Sequence, residues 1–156
     1  MHDNAAGVQI PDKNLSAFHD WANKALAGID FGENCYDVNF ERIAADEDIQ
    51  NIILDIGNHT GIWGQSNNEP VIHVTDINVT MDDVKIMGKN MDTVKIEKFG
   101  IVYMKFHAKD LIDDLHKYSK VKLEIVGRTN VSYWGGKVIP QIFIDDYEAT
   151  DGVLGF

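Results

Sequence analysis

VKLEIVGRTNVSYWGGKVIPQIFIDDY, residues 121–147, holds two apolar runs joined by a reversal. Val121, Leu123 and Ile125 alternate with Lys122, Glu124 and Val126, the two-residue period of a strand with one face buried. Tyr133-Trp134-Gly135-Gly136-Lys137 follows, and its glycine pair permits the positive φ angles that a tight turn needs. Ile139 to Ile144 returns as a second strand, with Pro140 near its start, where a missing N–H is tolerated. Trp134 and Tyr133 beside Arg128 and Lys137 suit a hairpin that stacks bases and attracts phosphates.

Working back from this hairpin, the preceding residues are also rich in strand signals. Val71–Val79 alternates and is expected to continue, after a bend at Met81–Asp83, through Val84–Met87. Lys89–Asp92 reads as a turn. Thr93–Lys98 and Ile101–Phe106 then form a hairpin around Phe99-Gly100, and Lys109–Tyr118 a short helix with Leu111, Ile112 and Leu115 inward. Three strands, a helix and two strands is the order of an OB barrel, with a β-rich sandwich as the alternative topology. The expected fold class is therefore α+β: a mainly β OB-fold barrel over 69–150 with an N-terminal appendage of helix and strand.

That appendage is less regular. Residues 5–11 read as a short strand ending at Pro11, and Asp12 or Asn14 can cap a helix through about Ala27 with Gly28 as its stop. Leu15, Phe18, Ala22, Ala25 and Leu26 form its apolar stripe, and Trp21 is expected to pack with them in a core. Tyr36, Val38 and Phe40 alternate as a strand. Ala44–Ile56 is expected to be helical, with Asp46, Glu47 and Asp48 in its first turn, where the helix dipole favours anions.

The 156-residue chain carries a formal charge of −11, which at first sight argues against a nucleic-acid partner. The distribution points the other way. Residues 85–137 hold eleven Lys and Arg against six Asp and Glu, so one basic segment lies inside an otherwise acidic chain. There is no apolar run long enough to span a membrane and no basic-then-apolar leader at MHDNAAGVQI. Cys35 is the only cysteine, which excludes an intrachain disulfide or cysteine zinc cluster and agrees with a cytoplasmic setting.

Hydrolytic chemistry is hard to find. The six histidines, His2, His19, His59, His73, His107 and His116, are dispersed without metal-ligand spacing. Asp82-Asp83 and Asp113-Asp114 read as solvated doublets, and Asp145-Asp146 closes the last strand. No catalytic residue, nucleophile cluster or metal site is expected in this chain, and alone it is expected to be inactive.

Three stretches resemble the RecJ-type single-strand-specific 5′ exonucleases. Val126-Gly127 through Trp134, Gly136, Gln141 and Asp146 is similar to the family's barrel signature, roughly VG…NEWNG…Q…D. Trp63 to Val71, WGQSNNEPV, resembles its linker-to-barrel motif FGxGNPEPxF, and His2 to Gly7 resembles the end of the GGHxxAAG motif of a DHHA1 domain. Ser132, Ser66 and Asn68 depart from the usual Asn, Gly and Pro, and Met1 stands in place of one of the glycines before His2. The resemblance implies a piece of a longer, divergent or phage-borne protein. Residues 1–30 would be the remnant of DHHA1, 31–68 a connecting segment and 69–150 the OB-fold domain.

The resemblance also implies a metal-dependent DHH phosphodiesterase domain upstream, with Mn or Mg as its cofactor, and His2 at the substrate phosphates of the full enzyme. An OB barrel commonly binds through its second and third strands and flanking loops. The expected single-stranded DNA contacts are Lys89 in the first loop, Lys95, Tyr103 and Lys105 on the strands, and Arg128, Tyr133, Trp134 and Lys137 about the last hairpin. Single-stranded DNA and the upstream catalytic domains are the implied partners. The competing reading is a protein-interaction module that docks the exonuclease onto repair or replication proteins, which the acidic remainder favours.

Overall fold

The computed structural model describes residues 9–28, 35–64 and 66–153, and these fall into two compact units divided after Cys35. In the first, a 3-10 turn over Asp12–Asn14 leads into α1 (Leu15–Leu26). Phe18 and Trp21 stack at 5.7 Å between ring centroids, yet Trp21 is 64% exposed rather than a core residue. Asn14 precedes α1 without a side-chain capping bond, and the helix stops before Gly28 as expected. Of the strand expected over 5–11, residues 5–8 lie outside the described residues, and 9–11 are not in a strand.

In the second unit, alternation builds a barrel. Its strands are β1 (Phe40–Ile43), β2 (Val71–Val79), β3 (Val84–Met87), β4 (Thr93–Lys98), β5 (Ile101–Lys105), β6 (Val121–Trp134) and β7 (Lys137–Asp151). Their order in the sheet is β1-β2-β6-β7-β5-β4-β3. β2 and β3 sit far apart in that order but follow each other in the chain across the bend at Met81–Asp83. They act as one bent first strand, and the sheet closes on itself. β7 runs antiparallel to β6 and parallel to β5, and α3 (Lys109–Lys117) fills the connection between β5 and β6. This is the OB arrangement, and the sandwich alternative falls away.

Ile72, Val74, Ile77 and Val79 of β2, Val121, Leu123 and Ile125 of β6, and Val94, Ile96, Ile101 and Ile142 meet in the interior. Leu111 and Leu115 of α3 join them. Burying each such side chain contributes about 1.5–3 kcal/mol, which is why the period-two signal was so strong. Two glycines with φ +57 and +74, Gly135 and Gly136, make the β6–β7 reversal a two-residue turn whose twist matches the strands.

Two elements differ from their sequence expectation. The helix predicted from Ala44 is α2 (Ile49–Asn58), preceded by a turn. Ala44 is buried and donates its N–H to the carbonyl of Thr75. Asp46 accepts from the Ile43 N–H, and Asp48 pairs with Arg42 at 3.3 Å. The acids thus bind the turn rather than the helix dipole. The strand predicted at Tyr36–Phe40 begins only at Phe40, where pairing becomes possible in parallel with Ile72. Both elements belong to the barrel unit: Ile49 and Ile53 lie in the core, and Gly57 approaches β6 so closely that a Cβ would meet Val131 Cγ2 at 2.7 Å.

The bend between β2 and β3 is held by charge. Asp83 accepts from the Thr80 N–H at 2.9 Å and from Lys98 Nζ at 2.9 and 3.0 Å. Burial pushes its carboxyl up, but the hydrogen bonds from Lys98 and Thr80 outweigh this and hold it below the ordinary value. A depressed carboxylate stabilises the fold above its unfolded pKa and stops doing so as pH falls through the folded one. Asp83→Asn is therefore expected to cost about 1 kcal/mol near neutral pH. Urea titrations at descending pH should show that gap closing in acid, and a gap independent of pH would contradict this role.

Candidate nucleic-acid interface

The site starts from one residue without a side chain. Along β6 and β7 the pairing steps from Val126–Asp146 to Gly127–Ile144, leaving Asp145 as an extra, bulged residue. A Cβ on Gly127 would lie 2.2 Å from the carbonyl oxygen of Phe143, so only glycine permits this close approach. The bulge turns Asp145 towards two cations. Its backbone carbonyl accepts from Lys105 Nζ at 2.9 Å, and its Oδ2 lies 3.2 Å from Arg128 Nε. Lys105 Nζ also stands 5.5 Å from the ring centre of Tyr147.

Beside the bulge is a groove of about 480 Å³, lined by Glu69, Lys105, Phe106, Arg128, Asn130, Phe143 and Asp145 among others. The Phe106 and Phe143 rings are 5.7 Å apart and tilted by 55°. Glu69 has its carboxyl raised, first by burial, against the pull of Arg128 and with the help of Asp145. Asn130 donates to Gln141 at 2.8 Å across the next strand pair.

Register extends this site in two directions. Lys85, Lys95, Met104, Phe143 and Arg128 are successive partners across β3, β4, β5, β7 and β6. Cross-strand partners share a face, and the interior is occupied by the alternate residues, so these five form one outward row. At the usual strand spacing the row is about 19 Å long. Along β6 the same outward face carries Arg128, Asn130, Ser132 and Trp134, opposite Phe143, Gln141, Ile139 and Lys137 of β7. An aromatic and a cation thus stand at each end of one hairpin face. The inward face of the same hairpin end is taken by α2, where Tyr133 donates its hydroxyl to Asn58 and Gly57 abuts Val131.

The expected contacts sort themselves accordingly. Trp134 is 79% exposed, so its ring stands clear rather than folding onto its hairpin. Tyr133 is 68% exposed but braced through its hydroxyl, Lys137 is exposed at the start of β7, and Lys89 is exposed in its turn. Lys95 is on the outward row but is paired with Glu97. Arg128 and Lys105 come together at the bulge. Tyr103 is a correction: at 1% exposure it faces the core beside Ile142, and burial pushes its hydroxyl well up. It has no face to offer a base. His2 lies outside the described residues.

Sequence reasoning missed Lys85, Met104, Phe106, Phe143, Glu69 and the Asn130–Gln141 pair. Lys85, Met104, Phe143 and the Asn130–Gln141 pair are placed by register, which no single strand reveals, and Phe106 and Glu69 by the groove that closes beside the strands. Gly127 was the available signal, since a glycine inside an alternating strand marks a bulge or a close approach. Among the described residues, no group of three or more His, Cys, Asp or Glu could hold a metal ion. Among them, too, no helix is long and apolar enough to cross a membrane.

Comparison with known proteins agrees with this architecture. The chain is 29% identical over 150 residues to YorK of Bacillus subtilis (strain 168), an SPbeta prophage-derived protein described as a single-strand DNA-specific exonuclease, and to its counterpart in Bacillus phage SPbeta. The alignment covers 94% of this chain and 26% of each relative, so the chain spans about a quarter of their length. The crystal structure of Thermus thermophilus RecJ in complex with Mn2+ superposes with a TM-score of 0.54 at 13% identity, over 94% of this chain and 21% of that one. At that identity the match speaks for the fold. Residues 43–146 match the RecJ OB domain family, from β1 through the paired end of the Asp145 bulge, and the chain belongs to that family.

Proposed function

We propose that this chain is the DNA-holding part of a RecJ-like 5′–3′ single-strand exonuclease and guides an unpaired strand to a catalytic site elsewhere in the protein. In this reading hydrolysis belongs to a DHH phosphodiesterase domain using Mn or Mg. Residues 1–30 end a DHHA1 domain with His2 at the substrate phosphates, 31–68 connect it, and 69–150 hold the strand. The observation that carries the proposal is the outward face of the β6–β7 hairpin, with Arg128 and Phe143 at one end and Trp134 and Lys137 at the other. Stacking platforms flanked by cations bind single strands with little regard to sequence, because every base has a π face and every nucleotide a phosphate.

Salt separates this reading from a merely sticky surface. Lys85 and Lys137 make no ion pair among the described residues, whereas Lys95 and Arg128 have carboxylate neighbours. Fluorescence anisotropy with a labelled oligonucleotide across a salt series is expected to give a linear log–log fall. Lys85→Gln and Lys137→Gln should each reduce its slope by about 0.7, and Arg128→Gln by less. Tighter binding to duplex than to single strand would overturn the proposal.

A second reading has its own observation. The outward face of β1, β2 and β6 carries Glu41 and Glu124, within 3.7 and 3.9 Å of His73, and Glu148 lies opposite Glu124. That acidic face suits docking onto a basic surface of a repair or replication protein. Pull-down with Glu41→Lys and Glu124→Lys variants tests it: undiminished capture of such proteins would remove this face from consideration.

A further inference from the structure

The groove at the bulge is chemically unlike the rest of the outward face. Two cations, Lys105 and Arg128, face two carboxylates, Glu69 and Asp145, so its charges balance. Both cations are already occupied, Lys105 on the Asp145 carbonyl and Arg128 at the Asp145 carboxylate. A phosphate placed there would meet two like charges at close range, a repulsion that a partly buried site strengthens. A flat neutral group fares better, because Phe143 and Phe106 supply apolar ring surface.

The polar atoms left over are mainly acceptors. Asp145 Oδ2 is shielded from solvent and has no hydrogen bond among the described residues, since its approach to Arg128 lacks hydrogen-bond alignment. Buried acceptors without donors are uncommon and mark a place where a donor is wanted. The bulge sets Asp145 in the wall of the groove with part of its side chain still open to solvent, and Gly127 makes the bulge possible.

We propose that the groove beside Asp145 holds one unpaired nucleobase on Phe143, and that its carboxylate wall favours a base bearing an exocyclic amino group over thymine or uracil. This rests on the single-strand binding proposed above and adds a base preference to it. Cytosine and uracil offer the sharpest comparison, because they differ at the 4-position, an amino donor in one and an oxo acceptor in the other. The amino group donates to the carboxylate; the oxo group is repelled by it.

The test is competition between oligodeoxycytidine and oligodeoxyuridine twelve-mers for the 156-residue chain at neutral pH. The cytidine strand is expected to bind about tenfold more tightly. Asp145→Asn, which keeps size and the backbone carbonyl, should bring the two affinities together, and Phe143→Ala should weaken both. Folding of each variant is checked by circular dichroism, and Asp145→Ser serves as a second variant if the first fails to fold. Equal affinity for the two strands in the unaltered chain would overturn the base preference while leaving strand binding intact. Persistence of the preference in the Asp145 variants would remove it from this groove. Binding to neither strand would overturn both proposals together.

Discussion

Gly127→Ala is expected to be the most damaging single methyl group that can be added to this barrel. The new Cβ would sit 2.2 Å from the Phe143 carbonyl oxygen and 3.0 Å from Ile142 Cγ2. The first of these is backbone, so no rotamer change can relieve it. Either β7 moves away from β6 or the bulge at Asp145 is lost, and both undo paired hydrogen bonds in the longest hairpin of the fold. Overpacking of this kind costs about 3 kcal/mol, near the upper end of its usual range. For a domain of this size that lowers the thermal midpoint by about 10 °C. Gly61→Ala is the control, because a Cβ there meets nothing within 4 Å among the described residues, and it should leave stability within about 0.5 kcal/mol of the parent. Equal denaturation midpoints for the two variants would mean that the strands do not meet as described.

Trp134→Ala is expected to do the opposite: leave stability alone and weaken binding. The ring is 79% exposed at the end of β6, beside the two-residue turn, so little packing is lost with it. If an unpaired base stacks there, removal costs about 1–3 kcal/mol, roughly a tenfold to hundredfold rise in Kd. Trp134→Phe keeps an aromatic face and should recover most of the loss, whereas Trp134→Leu, apolar but not flat, should not. Tyr133→Phe isolates a different effect. It removes the hydroxyl that holds the hairpin to Asn58 while keeping the ring, so any loss there reports positioning. Anisotropy titrations at one fixed salt concentration distinguish these outcomes. Unchanged affinity in Trp134→Ala would take the hairpin tip out of the binding surface.

Among the sequence readings, the strands fared better than the site. β4 and the β6–β7 turn lie where alternation and the glycine pair put them, and α3 begins at the expected Lys109. In these segments burial is one-sided, so the apolar period reports it directly. β5 is the instructive case. In Ile101-Val102-Tyr103 every residue is apolar, the period vanishes, and Tyr103 could be assigned to either face. The barrel buries all three, with Tyr103 inward, and the expected base contact is lost. α2 begins at Ile49 rather than Ala44 for a related reason: Asp46 and Asp48 bind neighbouring backbone and Arg42 as readily as they would serve a helix start.

Residue order alone was enough for the succession of strands, the tight last turn, the presence of an aromatic tip among cations and the kinship that these motifs carry. Those are properties of residues close together in the chain, where spacing and local φ preference suffice. Which cations share a face was settled only by folding, because Lys85, Lys95 and Arg128 belong to three strands whose mutual register is set by closure of the barrel. Folding likewise settled that Arg128 pairs with the Asp145 carboxylate and Lys105 binds the Asp145 carbonyl, while Trp134 stands exposed. Charge along a chain is additive, but the field at a groove depends on which opposite charges packing brings within a few ångströms.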